Sequence, residues 1–220
     1  MNAVLLSIPL VAIVCAVVWY KRCTRHHPAW KSVARRFDLD FSRGGLRLQT
    51  KLRGRHRRRA ITVQLKKSGW GRRRNCFTNF SVPLQAPCWE RLSVIRRLFN
   101  ASGQPLMDDD GPQIGDPAFD SEFRLSGELD DKARQCLENS SVQSALRSFH
   151  EDGYSFLILV GKLSINATIK KDSEEDLVRL IERTIDTAEL LDDTGRTIDG
   201  ASEAGSEEAQ AQKQSTEHIW

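Results

Sequence analysis

An α+β fold behind a membrane-spanning N-terminal helix is the class this sequence predicts, on three observations. Residues 3–20 (AVLLSIPLVAIVCAVVWY) carry no charge. Between residues 46 and 84 apolar and polar side chains alternate with the period of a strand. In the second half apolar residues recur at intervals of three and four, the period of a helix. The expected order is an anchor over 1–22, a juxtamembrane amphipathic helix over 23–38, an antiparallel-sheet domain with packed helices over 39–191, and a disordered acidic tail over 192–220.

The anchor rests on length and flanks. At about 1.5 Å per residue, residues 3–20 span most of a hydrocarbon core about 30 Å thick. Trp19 and Tyr20 end the run, where amphipathic rings favour the headgroup boundary. A cleaved signal peptide needs a positive n-region and a small-residue cleavage site, and neither is present. The residues before Cys15 make a poor lipobox. Lys21, Arg22, Arg25, Lys31, Arg35 and Arg36 all follow the apolar run, so the positive-inside rule keeps the bulk of the chain cytoplasmic, on a single-pass inner-membrane anchor. Four N-x-S/T sequons, at Asn79, Asn100, Asn139 and Asn166, read as coincidental on that side.

The juxtamembrane segment HPAWKSVARRF offers Pro28 as a first helical residue and an apolar stripe of Trp30, Val33, Ala34 and Phe37. That stripe suits either the lipid surface or the following domain. Strands come next. Leu46, Leu48 and Leu52 alternate with polar residues, a turn is expected at Gly54-Arg55, and Ile61, Val63 and Leu65 resume the alternation. Cys76 to Leu84 continues it, with a further strand expected at Leu92–Phe99. Helical stripes follow at Leu129–Leu137 and Val142–Phe149. Tyr154–Val160 reads as a strand buried on both faces, joined through Gly161-Lys162 to a partner carrying Leu163, Ile165, Ala167 and Ile169. Ser173 and Asp176 form a capping-box pattern before the apolar series Leu177 to Leu191. Beyond Asp193 that series stops, and a flexible tail is expected.

Charge is sorted along the chain. Residues 21–74 hold nineteen Lys or Arg against Asp38 and Asp40, whereas residues 75–220 hold fourteen against twenty-seven acids. Two separate surfaces are implied. The five cysteines are irregularly spaced, without a CxxC pair, and suggest neither a disulfide framework nor a zinc site; Cys76 and Cys136 read as core residues, and Cys23 as a site where palmitoylation could occur.

In IGDPAFDSEF, Asp116 can cap a short helix with Pro117 at its first position, and Phe119 and Phe123 meet at i, i+4. Gly115 and Asp120 complete the motif. Capping is favoured over a cation site built from Asp116, Asp120 and Asp108–Asp110, because the spacing is not that of a calcium loop. The anchor, the Trp-containing helix, the basic strands, GDPAFD and the final apolar hairpin and helix together resemble a loose group of uncharacterised bacterial membrane-anchored proteins over residues 28–191. The resemblance implies the anchored α+β architecture and no catalytic residues.

Function classes follow. The first is a membrane-anchored, non-enzymatic binding or scaffold domain. Its candidate contacts with anionic lipid or another polyanion are Lys21, Arg22, Arg25, Arg57, Arg58, Arg59, Lys66, Lys67, Trp70, Arg72, Arg73 and Arg74. Nucleic-acid binding by the same residues is the alternative, although no RNP, KH or zinc-finger signature occurs. An enzyme stands last: the five histidines are scattered, and there is no HExxH, GxSxG or P-loop. No cofactor or metal is expected.

Overall fold

The computed structural model describes residues 27–43, 50–68, 75–89, 91–97, 111–159, 161–168 and 173–217. The expected anchor with Lys21, Arg22 and Arg25, the strand residues Leu46 and Leu48, Asp108–Asp110, and Trp70 with Arg72, Arg73 and Arg74 lie outside them. Among the described residues no helix is long and apolar enough to cross a membrane.

Among the described residues eight strands form one antiparallel sheet in the order β1-β2-β3-β4-β8-β7-β5-β6, and five helices accompany it. The fold is α+β. Helix α1 (His27–Phe37) opens the described chain, with Trp30, Val33, Ala34 and Phe37 buried against the domain. Of the two surfaces open to that stripe, it takes the protein. Val33 and Phe37 each contribute about 1.5–3 kcal/mol when fully buried, and Lys31, Arg35 and Arg36 are left exposed on the other side.

Strand β1 (Leu39–Ser42) follows at once, turned by Asp38 at φ 53°. It pairs with β2 (Lys51–His56), which pairs with β3 (Arg59–Ser68). The turn expected at Gly54-Arg55 is not there. Gly54 sits within β2, between Leu39 and Ile61, and a Cβ on it would meet Leu39 Cδ2 at 2.7 Å. Close approach, not reversal, calls for this glycine. The chain reverses instead at Arg57 and Arg58, both left-handed at φ 47° and 65°, the backbone of a type I′ turn.

Strand β4 (Asn75–Pro83) pairs with β3 and with β8 (Lys162–Ala167); β8 pairs with β7 (Ser155–Leu159), then β5 (Leu92–Arg96) and β6 (Phe123–Gly127). Alternation puts Leu52, Val63, Phe80, Ile165 and Phe156 in one cross-strand row. The buried side chains of the helices join that face in a single core. Strand β7 is buried on one face only, with Leu159 49% exposed, contrary to the two-sided burial its apolar run suggested.

Helix α2 (Pro117–Glu122) leads into β6, and α3 (Asp131–Glu138) and α4 (Ser140–Glu151) follow. Asn139 caps α4, its Oδ1 accepting from Ser141 N at 2.9 Å. With Asn79 donating its amide to Asn166 Oδ1 at 2.9 Å, three of the four sequon asparagines use their side chains within the fold. Helix α5 (Glu174–Glu217) starts where Ser173 accepts from Asp176 N at 3.1 Å.

No tail begins at residue 192. Helix α5 runs on, because the segment before β5 grips it there. Asp192 accepts hydrogen bonds from Gln85 N and Ala86 N, each at 2.8 Å. A Cβ at Gly195 would collide with the Ala86 carbonyl oxygen. Further on, Lys132 pairs with Asp199 at 2.8 Å. The expectation that no disulfide forms is also corrected: Cys88 is bridged to Cys136, with Cα atoms 6.2 Å apart. Those positions are 48 residues apart and follow no spacing rule, so only the fold brings them together.

Candidate functional site

The hairpin of β2 and β3 carries the densest described positive charge, and strand alternation divides it. Arg59 points to the helix side, as Ile61 and Val63 do. It is 5% exposed and paired with Asp192, which is fully buried. Its Nε also lies 3.6 Å from Glu189 Oε1. At the turn, Arg57 Nη1 donates to Asp186 Oδ1 at 2.6 Å and lies 4.0 Å from Glu189. Asp186, Glu189 and Asp192 recur every three residues along α5, so one helix face receives both arginines. Breaking a buried pair strands a charge and costs about 3–5 kcal/mol. These arginines hold the hairpin to α5. Arg59 therefore leaves the set of surface contact candidates.

On the other face, β2 presents Lys51, Arg53 and Arg55. Arg53 and Arg55 are exposed, and Lys51 is half-buried. Arg58 is exposed at the hairpin tip, where its carbonyl accepts from Arg55 Nη2 at 3.3 Å. Lys66 extends the face on β3, half-buried, while only the backbone of Lys67 is described. In the sequence Lys51 and Arg53 read as the polar, cationic face of a strand, but neither they nor Arg55 stand among the contact candidates. The expected turn at Gly54 separated Arg55 from that row, which the structure shows as three cations at i, i+2 and i+4 of one strand.

The IGDPAFDSEF motif builds a self-capped corner. Asp116 Oδ1 accepts from Ala118 N at 2.9 Å and Phe119 N at 3.3 Å, with Pro117 at the first helical position. Asp120 reaches back to Ile114 N at 3.2 Å and Gly115 N at 3.0 Å. Phe119 and Phe123 are buried, their rings 4.6 Å apart. Arg134 binds the Ile114 carbonyl at 3.0 Å, and Arg147 lies 3.8 Å from Asp116. The Phe119 N–H above all, with the Ala118 N–H, the Gln143 side chain and the Arg147 guanidinium, holds the Asp116 carboxyl below its usual range against the opposing effect of burial. Both carboxylates are occupied by backbone donors of their own corner. Among the described residues no group of three or more His, Cys, Asp or Glu is arranged to hold a metal ion.

Fold and surface together define a two-layer α+β domain whose helices share one sheet face and whose basic hairpin divides its charge between the two faces. No protein-family model and no curated protein matches the chain. Among solved structures it is similar to the mycobacterial trehalose monomycolate transport factor A, TtfA, at TM-score 0.44 and 12% identity, with 79% of this chain and 94% of that chain covered. A likeness at that level carries no argument about function.

Proposed function

We propose that the protein is a membrane-tethered binding or scaffold domain, with residues 3–20 as a single span and the domain on the cytoplasmic side. The observation that carries this reading is the short join between the apolar run and the domain. Helix α1 begins at His27 and its stripe is buried in the core, so only residues 21–26 separate it from the apolar run. Six residues reach about 20 Å at full extension. The domain would thus be held beside the bilayer surface by its own first helix.

Two features pull in opposite directions over the side. Disulfides persist in oxidising compartments, whereas the cations after residue 20 favour the cytoplasm. The charge rule has priority, since it acts where the chain is inserted. Cys88 and Cys136 are 1% and 0% exposed, out of reach of small thiols. Alkaline extraction and reporter fusions at the C-terminus test the reading. Retention in the membrane, with a cytoplasm-only reporter active and an export-only reporter silent, is expected. Release by alkali would remove the span, and the reverse reporter pattern would remove the orientation.

A further inference from the structure

We propose that Lys51, Arg53, Arg55 and Arg58 form the surface by which the tethered domain docks on anionic lipid headgroups; the inference rests on the tether proposed above. The first ground is the sorting of partners. Arg57, Arg59, Arg183 and Lys132 each have a carboxylate partner. Among the described residues, no carboxylate lies within ion-pair distance of Lys51, Arg53, Arg55 or Arg58. The facing group to reckon with is Asp40, directly opposite Arg53 in the β1–β2 register. Four cations against one acid leave the stripe strongly positive.

Geometry is the second ground. Alternate residues of an antiparallel strand are about 6.8 Å apart, so Lys51, Arg53 and Arg55 make a straight row, with Arg58 beyond its end. Such a row can meet a flat anionic surface along its length. Position is the third ground. Helix α1 packs on β1 and β2, the edge strands whose opposite face carries the stripe. Anionic headgroups attract cations within a Debye length, about 8–10 Å at physiological salt. The tether would supply that closeness.

Single-stranded nucleic acid is the weaker occupant. Such sites add aromatic platforms to their charge, and the one large apolar side chain exposed among the described residues is Leu159, on β7 beyond β3, β4 and β8.

The test uses the full chain in nanodiscs that contain an acceptor-labelled lipid. A fluorescent amino acid replaces Ala60, which is exposed and opposite Arg55. Energy transfer is expected to rise when phosphatidylglycerol is added to phosphatidylcholine and to fall with salt. Each of Arg53→Gln, Arg55→Gln and Arg58→Gln should lower the docked-to-undocked ratio by about fivefold. The combined variant with Lys51→Gln should return transfer to the level in phosphatidylcholine alone. Arg91→Gln, at a side chain 81% exposed and paired with Glu128, should change nothing. The single variants carry the test if the combined one fails to fold.

Equal transfer in both lipids would overturn the proposal. So would dependence on anionic lipid that survives the stripe variants and disappears in Lys31→Gln/Arg35→Gln. Binding of a single-stranded oligonucleotide that is lost in the stripe variants, with no response to lipid, would overturn it in favour of nucleic acid. Release of the chain by alkali is a different failure, that of the tether itself.

Discussion

Arg53 and Arg59 lie in adjacent strands of one hairpin, four residues from the turn and one respectively, yet they meet opposite environments. Arg59 is buried against Asp192 of α5. Arg53 is exposed, opposite Asp40 in the β1–β2 register, and among the described residues no carboxylate lies within ion-pair distance of it. Composition is the same; register differs. Because side chains alternate across a strand, a run of arginines is split between the two faces of the sheet. One half becomes a structural clamp, and the other remains available for a partner.

The largest break in that comparison is at the clamp. Arg59→Met should lower stability by about 3–5 kcal/mol, because Asp192 stays buried without its guanidinium. Urea unfolding followed by circular dichroism would measure it. Next comes Gly54→Val, which should cost about 1–3 kcal/mol by driving β1 away from β2. Hydrogen exchange should then increase in residues 39–42 first. If Gly54 were a turn residue, β1 would be untouched.

A gain is expected at the turn. Arg58→Gly relieves a left-handed non-glycine residue at φ 65° and should stabilise the fold by about 1 kcal/mol. Its urea midpoint would rise while lipid docking falls, separating the two properties at one residue. The smallest effect lies far from the hairpin. Asp116 has a depressed pKa, so its contribution is present above the unfolded value near 3.9 and is lost as pH falls through the folded value below it. Asp116→Asn should flatten the stability profile below about pH 4 and leave its shape at neutral pH unchanged.

How much of this was legible in the sequence depended on how local the cause was. The Asp116 cap and the Phe119–Phe123 contact lie within one turn of helix, and the motif displays both. Ser173 announces α5 for the same reason. Gly54 misled because a glycine in a polar run reads as a turn, whereas its cause is Leu39 on another strand. Strand β1 has four residues, too few to display a period. The continuation of α5 depends on Gln85 and Ala86, which are remote in sequence from Asp192. For the basic hairpin, the acids on α5 show the right spacing, but no local rule says which arginines they will take.

Two double-mutant cycles test that division most directly. One removes Arg59 and Asp192 singly and together, and the other removes Arg53 and Asp40. Division of the hairpin into a clamp and a solvent-facing stripe predicts a coupling of about 2–3 kcal/mol for the first cycle and less than about 0.5 kcal/mol for the second. Equal couplings, or a larger one between Arg53 and Asp40, would contradict it.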